Sequence, residues 1–136
     1  MLKPEDLTTI PLFQGFDIKQ IEKLLRFAEE RSYNQGDFIF KQNEEAKKLY
    51  ILEKGTVDIV LNPPSKPQMT IATETSGGVF GLPAIRAPHR YTADAKCLEP
   101  CQLLALDGEK VRELCYQEPD LGGQLMENLA FFGMSC

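Results

Sequence analysis

The sequence predicts a mainly β fold, a jelly-roll-like antiparallel barrel with one helix before it and two after it. Three observations predict it. Short apolar runs with a period of two, separated by turn residues, fill residues 38–106. Stripes at helical spacing flank that region on both sides. No internal repeat or low-complexity tract interrupts the pattern. With 136 residues and 43% hydrophobic content, the chain has room for one domain with its own core. Residues 1–136 are therefore expected to form a single domain: a helical lead-in over 1–31, the barrel over 32–106 and the C-terminal helices over 107–136.

The elements follow in order. Ile10-Pro11-Leu12-Phe13 is an apolar lead-in. Residues 17–30 form the expected first helix, with Ile18, Ile21, Leu24, Leu25 and Ala28 on one face. Asp17 caps it and Gln20 completes a capping box. Asn34-Gln35-Gly36-Asp37 is turn chemistry, and Phe38-Ile39-Phe40 opens the strands. Leu49-Tyr50-Ile51-Leu52 is a strand that turns at Gly55, and Val57, Ile59 and Leu61 alternate along the next. After the rigid loop Pro63-Pro64-Ser65-Lys66-Pro67, Met69, Ile71 and Thr73 alternate again. Two further strands are expected over 91–97 and 102–106. Asp107 caps a helix over 108–116, and Pro119 starts the last helix, whose stripe is Leu121, Leu125, Leu129 and Phe132.

Charge and composition narrow the partners. The formal net charge is −5. An acidic surface repels phosphate backbones and anionic bilayers, so neither nucleic acid nor membrane is expected as a direct partner. No apolar run approaches the ~20 residues of a membrane span, and the acidic, proline-bearing N-terminus is unlike a signal peptide. A cytoplasmic location is expected, with Cys97, Cys101, Cys115 and Cys136 as reduced thiols.

Catalytic chemistry is not legible. The chain has one histidine, His89, whereas a metal-dependent cupin enzyme needs several histidine and carboxylate ligands. Cys97 and Cys101 bracket a strand turn without a second pair, a poor metal signal. Glu44-Glu45 reads as a charged loop, and no serine or cysteine triad is visible. No enzyme activity, metal or cofactor is expected.

The order helix, strands, helix, helix carries several local words: Pro11-Leu12-Phe13; Gly36 before Phe38-Ile39-Phe40; Leu49-Tyr50-Ile51-Leu52-Glu53-Lys54-Gly55; Phe80-Gly81; Thr92-Ala93-Asp94-Ala95; and Cys101-Gln102-Leu103-Leu104-Ala105-Leu106. In that order and spacing they resemble the cyclic-nucleotide-binding domain family, which includes the regulatory domains of catabolite-activator-like transcription factors. The resemblance implies a double-stranded β-helix roll and a ligand held by a phosphate cassette. In that cassette Phe-Gly-Glu precedes a short helix, then Pro-Arg and a small residue. Backbone N–H groups and the Arg meet the phosphate, and the Glu accepts from the ribose.

This chain departs from the cassette. Leu82 follows Phe80-Gly81 where the family has Glu, and counting back from Cys101 puts Tyr91 at the Arg position and Thr92 at the hydroxyl position. Arg90 is one residue off, which on a strand turns it to the other face; Arg86 on the short helix is the alternative. Pro83 removes one N–H donor. The candidate ligand-binding positions are therefore Gly81, Leu82, Pro83, Ala84, Arg90, Tyr91 and Thr92.

Two readings stay open. In one, the domain is a regulatory sensor whose barrel takes a small molecule, not ordinary cyclic AMP, and whose C-terminal helices transmit the signal. In the other, Tyr91 and Leu82 plug the pocket and the domain works by dimerisation or protein contact. The family's last helix commonly pairs subunits, so a homodimer through Leu125, Leu129 and Phe132 is expected. The sequence stops where the family's regulators continue into a helix-turn-helix reader.

Overall fold

A computed structural model describes residues 3–130. Two four-stranded antiparallel sheets form the jelly roll, ordered β1-β8-β3-β6 and β2-β7-β4-β5. The strands are β1 (Ala28–Tyr33), β2 (Phe38–Phe40), β3 (Lys48–Lys54), β4 (Val57–Leu61), β5 (Met69–Glu74), β6 (Val79–Phe80), β7 (Asp94–Cys97) and β8 (Cys101–Asp107). Val57, Ile59, Ala95 and Cys97 from one sheet join Leu49, Ile51, Leu104 and Leu106 from the other in a single apolar core. In β4 the alternation read from sequence appears as buried Val57 and Ile59 between half-buried Asp58 and Val60. Central β3 instead buries Leu49 to Leu52 without a break, because β8 and β6 flank it and the core covers it.

The helices are α1 (Pro4–Leu7), α2 (Ile18–Leu25), α3 (Gly108–Gln117) and α4 (Pro119–Leu129). Asp17 and Gln20 make the expected capping box on α2, at 2.8 and 3.0 Å. Asp107 Oδ1 accepts from the Glu109 and Lys110 N–H groups at the start of α3. Pro119 opens α4, where its missing N–H costs nothing.

Four expectations need correction. The first helix stops at Leu25 instead of Glu30, and residues 28–33 form β1, so the roll begins at Ala28 and not at residue 32. Pairing explains the change: all six β1 residues, from Ala28 opposite Leu106 to Tyr33 opposite Cys101, complete an edge of β8. That tertiary ladder outweighs local helical spacing. The lead-in also contains a second short helix, α1, and a 3-10 helix at Pro11–Phe13. Residues 91–93 are not strand. Tyr91 pairs its backbone with loop residues Asn43 and Glu44, and β7 starts at Asp94. Finally, β6 is an unexpected two-residue strand at the edge of the first sheet.

α4 lies across the lead-in. The Asn128 amide donates to both the Leu12 and Gln14 carbonyls at 2.8 Å, and Lys23 Nζ reaches both carboxylate oxygens of Glu118 at 2.7 and 2.8 Å. Leu125 and Leu129, expected at a dimer seam, are 1% and 5% exposed within the chain's own core. A helical stripe looks the same whether its own chain or a second copy covers it. Phe132 lies outside the described residues. Among the described residues no helix is long and apolar enough to cross a membrane.

Candidate functional site

The cassette region begins where β6 ends. Gly81 takes φ +81°, a left-handed conformation that costs glycine little, and turns the chain into the 3-10 helix Leu82–Ala84. The turn is held on two sides. A side chain at Gly81 would come within 3.0 Å of the Lys48 carbonyl on β3, and one at Gly108 would meet the Ala84 carbonyl at the start of α3. Gly81, Leu82, Pro83 and Ala84 are all buried. Of the N–H groups that could face an anion here, Pro83 has none, and that of Ala84 is bonded to the Gly81 carbonyl at 3.1 Å.

Tyr91 returns to this region from the far end of the loop. It is 4% exposed. Its ring lies on Phe40 with centroids 3.7 Å apart and planes 9° apart. Its hydroxyl donates to the Lys48 carbonyl at 2.6 Å and accepts from the Lys48 N–H at 3.3 Å. Phe40 also packs on Tyr50 and Phe80, and Tyr50 stacks on Phe80 at 5.6 Å. Four rings thus occupy the space between β2, β3, β6 and the cassette. Burial pushes the Tyr50 and Tyr91 phenols upward from their ordinary range, so both keep their protons.

The other expected ligand positions lie outside this cluster. Arg90 is exposed, and its Nη1 donates to the Asn43 carbonyl at 2.8 Å. Thr92 is exposed, and Arg86 is half-buried on the loop after the 3-10 helix. The structure brings Gly81 and Tyr91 together through one carbonyl, that of Lys48, and leaves Arg90 and Thr92 at the surface. Phe40 and Tyr50 escaped sequence reasoning because each reads as an ordinary strand residue. His89, read as a lone turn histidine, has hydrogen-bond partners on both ring nitrogens. Among the described residues no cluster of three or more His, Cys, Asp or Glu side chains is arranged to hold a metal.

A two-sheet roll with a short helix after Phe80-Gly81 and a helix pair behind it defines a class of regulatory domain. The chain belongs to the cyclic nucleotide-binding domain family, whose model matches residues 30–118. It is 31% identical over 124 residues to the cyclic nucleotide-gated channel beta-3 of Canis lupus familiaris, covering 89% of this chain and 16% of the channel. Among solved structures it is similar to a predicted cyclic nucleotide-binding protein from Geobacter metallireducens GS-15, with a TM-score of 0.83, 28% identity and coverage of 96% and 94% of the two chains. The catabolite activator protein of Thermus thermophilus matches with a TM-score of 0.77 and 28% identity, over 88% of this chain and 56% of that one. The chain spans between 8% and 28% of the channel relatives it matches.

Proposed function

We propose that this chain is a non-catalytic regulatory domain whose nucleotide position is filled by its own Tyr91 ring, and that it acts as a protein-interaction module instead of a receptor for ordinary cyclic AMP. The observation that carries this reading is Tyr91 itself, stacked on Phe40 and bonded to Lys48 where the family pattern has a phosphate-binding Arg. Leu82 in place of the ribose-binding Glu and the tie of Arg90 to Asn43 support it. The family supplies the regulatory half of the reading, and a net charge of −5 argues against direct contact with nucleic acid or anionic membrane. A cytoplasmic location fits the same chemistry. The small-molecule sensor reading would require Tyr91 to give up its stacking and its Lys48 bond. A homodimer would need a surface other than Leu125 and Leu129.

Calorimetry with cyclic AMP and cyclic GMP tests the proposal. The expected result is no heat of binding up to about 1 mM, and no rise in melting temperature. A ligand at a hundred times its dissociation constant would add about 2.7 kcal/mol of stability. Micromolar binding of either nucleotide to the unaltered chain would overturn the plug.

A further inference from the structure

A groove of about 630 Å³ lies between the 85–89 loop and the α3–α4 helix pair, away from the aromatic cluster. We propose that it is the docking site for a basic, amphipathic helix of a partner protein. This does not depend on what fills the roll.

The helix walls point to such a partner. Gly122 and Gly123 both sit inside α4, although glycine is the poorest helix former after proline. Packing accounts for the first, because a side chain at Gly122 would strike the Cys115 carbonyl at 2.6 Å. Nothing in the fold accounts for the second. Gly123 is exposed, its backbone has no positive φ, and a Cβ there would meet nothing within 4 Å. It lines the groove together with two large exposed side chains, Tyr116 at 87% and Met126 at 50% exposure. A bare backbone beside an aromatic and a thioether gives one place of close approach and two apolar anchors. The α3 and α4 walls are helices, whose backbone groups are bonded internally, so these two walls offer no ladder to an extended strand, and the 85–89 loop closes the remaining side. Side-chain anchors at helical spacing fit an amphipathic helix.

Charge sets the sign of the partner. Glu109, Arg112, Glu113 and Tyr116 form one stripe along α3. Arg112 is engaged by the Gly108 carbonyl and by His89. Among the described residues, Glu109 and Glu113 make no ion pair, so the rim presents two open carboxylates. A Lys- or Arg-bearing helix complements them, whereas a second copy of this chain, with its net charge of −5, does not.

Fluorescence anisotropy on the full chain tests the proposal. The probe is a labelled synthetic helix of about 18 residues with leucines on one face and lysines along its flanks, compared with its lysine-to-glutamate counterpart. The lysine peptide is expected to bind, and the glutamate peptide about tenfold more weakly or not at all. Gly123→Leu and Tyr116→Ala should each weaken binding about tenfold, and Glu109→Gln with Glu113→Gln should flatten its salt dependence. Thermal melts confirm folding; Gly123→Leu should melt no lower than the unaltered chain. No binding of the lysine peptide at about 1 mM, or binding indifferent to Gly123→Leu and Tyr116→Ala, overturns the proposal. So does a dimer in sedimentation that Gly123→Leu dissociates, because it would assign the groove to a second copy.

Discussion

Arg112 donates through Nη1 to Nε2 of His89 at 2.9 Å, and that bond fixes the tautomer of the chain's single histidine. A guanidinium only donates, so Nε2 accepts. Nδ1 faces the Pro83 carbonyl at 2.8 Å, and a carbonyl only accepts, so Nδ1 carries the proton. Arg112 Nε donates in turn to the Gly108 carbonyl at 3.3 Å. A relay from Pro83 through His89 and Arg112 to Gly108 therefore ties the cassette turn to the first turn of α3.

Removing the imidazole should loosen that tie. His89→Ala leaves Arg112 and the Pro83 carbonyl short of one partner each and is expected to cost about 1–2 kcal/mol in urea denaturation. Nitrogen NMR of the unaltered chain should show the Nδ1–H form. An Nε2–H signal would mean the relay is assigned backwards.

Gly81→Ala should be costlier than a similar change at Gly36. Both positions have positive φ, +81° and +87°, but a Cβ at Gly36 meets nothing within 4 Å, while one at Gly81 presses on the Lys48 carbonyl and the Tyr50 ring. We expect about 1–3 kcal/mol at Gly81 and less at Gly36. Because Lys48 also holds the Tyr91 hydroxyl, the near-ultraviolet tyrosine signal should change only for Gly81→Ala. Equal losses at the two sites would refute the shared-carbonyl argument.

Glu74, at the end of β5, has its carboxyl pushed upward by desolvation. The folded state therefore holds this proton more tightly than the unfolded chain does. Its contribution is most favourable below the ordinary carboxylate range near pH ~4 and declines as pH rises through the folded value. Glu74→Gln lacks that loss. The variant's gain in melting temperature should be larger at neutral pH than below the carboxylate range, and a gap that does not widen with pH would contradict this.

Burial also governs the thiols. Cys97 is fully buried, and desolvation, assisted by its hydrogen bond with Cys101, pushes its thiol up to about 12. Iodoacetamide at mildly alkaline pH should leave Cys97 unmodified in the folded chain and label it only as the chain opens. Mass spectrometry showing labelling at the rate of a free thiol would exclude the buried placement.

Local patterns revealed the elements whose own residues carry the signal. The Asp17–Gln20 capping box, the Val57-Ile59 alternation and the stripe of α4 depend on neighbours within a few positions, and all three appear in the fold. β1 was hidden because Ala28 continues the spacing of Ile21 and Leu24, and only β8, some seventy residues on, makes it a strand. β6 has two residues and exists through Tyr50 and Ile51. At the candidate site, Gly81 and Tyr91 stood out in the sequence, and the structure brings them to the same carbonyl, that of Lys48. The ring that Tyr91 meets, Phe40, and the carbonyl it holds, Lys48, belong to strands far from it in sequence. Periodicity does not report such partners.

The double bond from Asn128 to Leu12 and Gln14 has a mechanical consequence. It fastens α4 directly to residues 12–14, the segment that precedes the roll. A pull or twist on α4 would therefore be felt by residues 12–14 as well as by α3, on both sides of the roll at once.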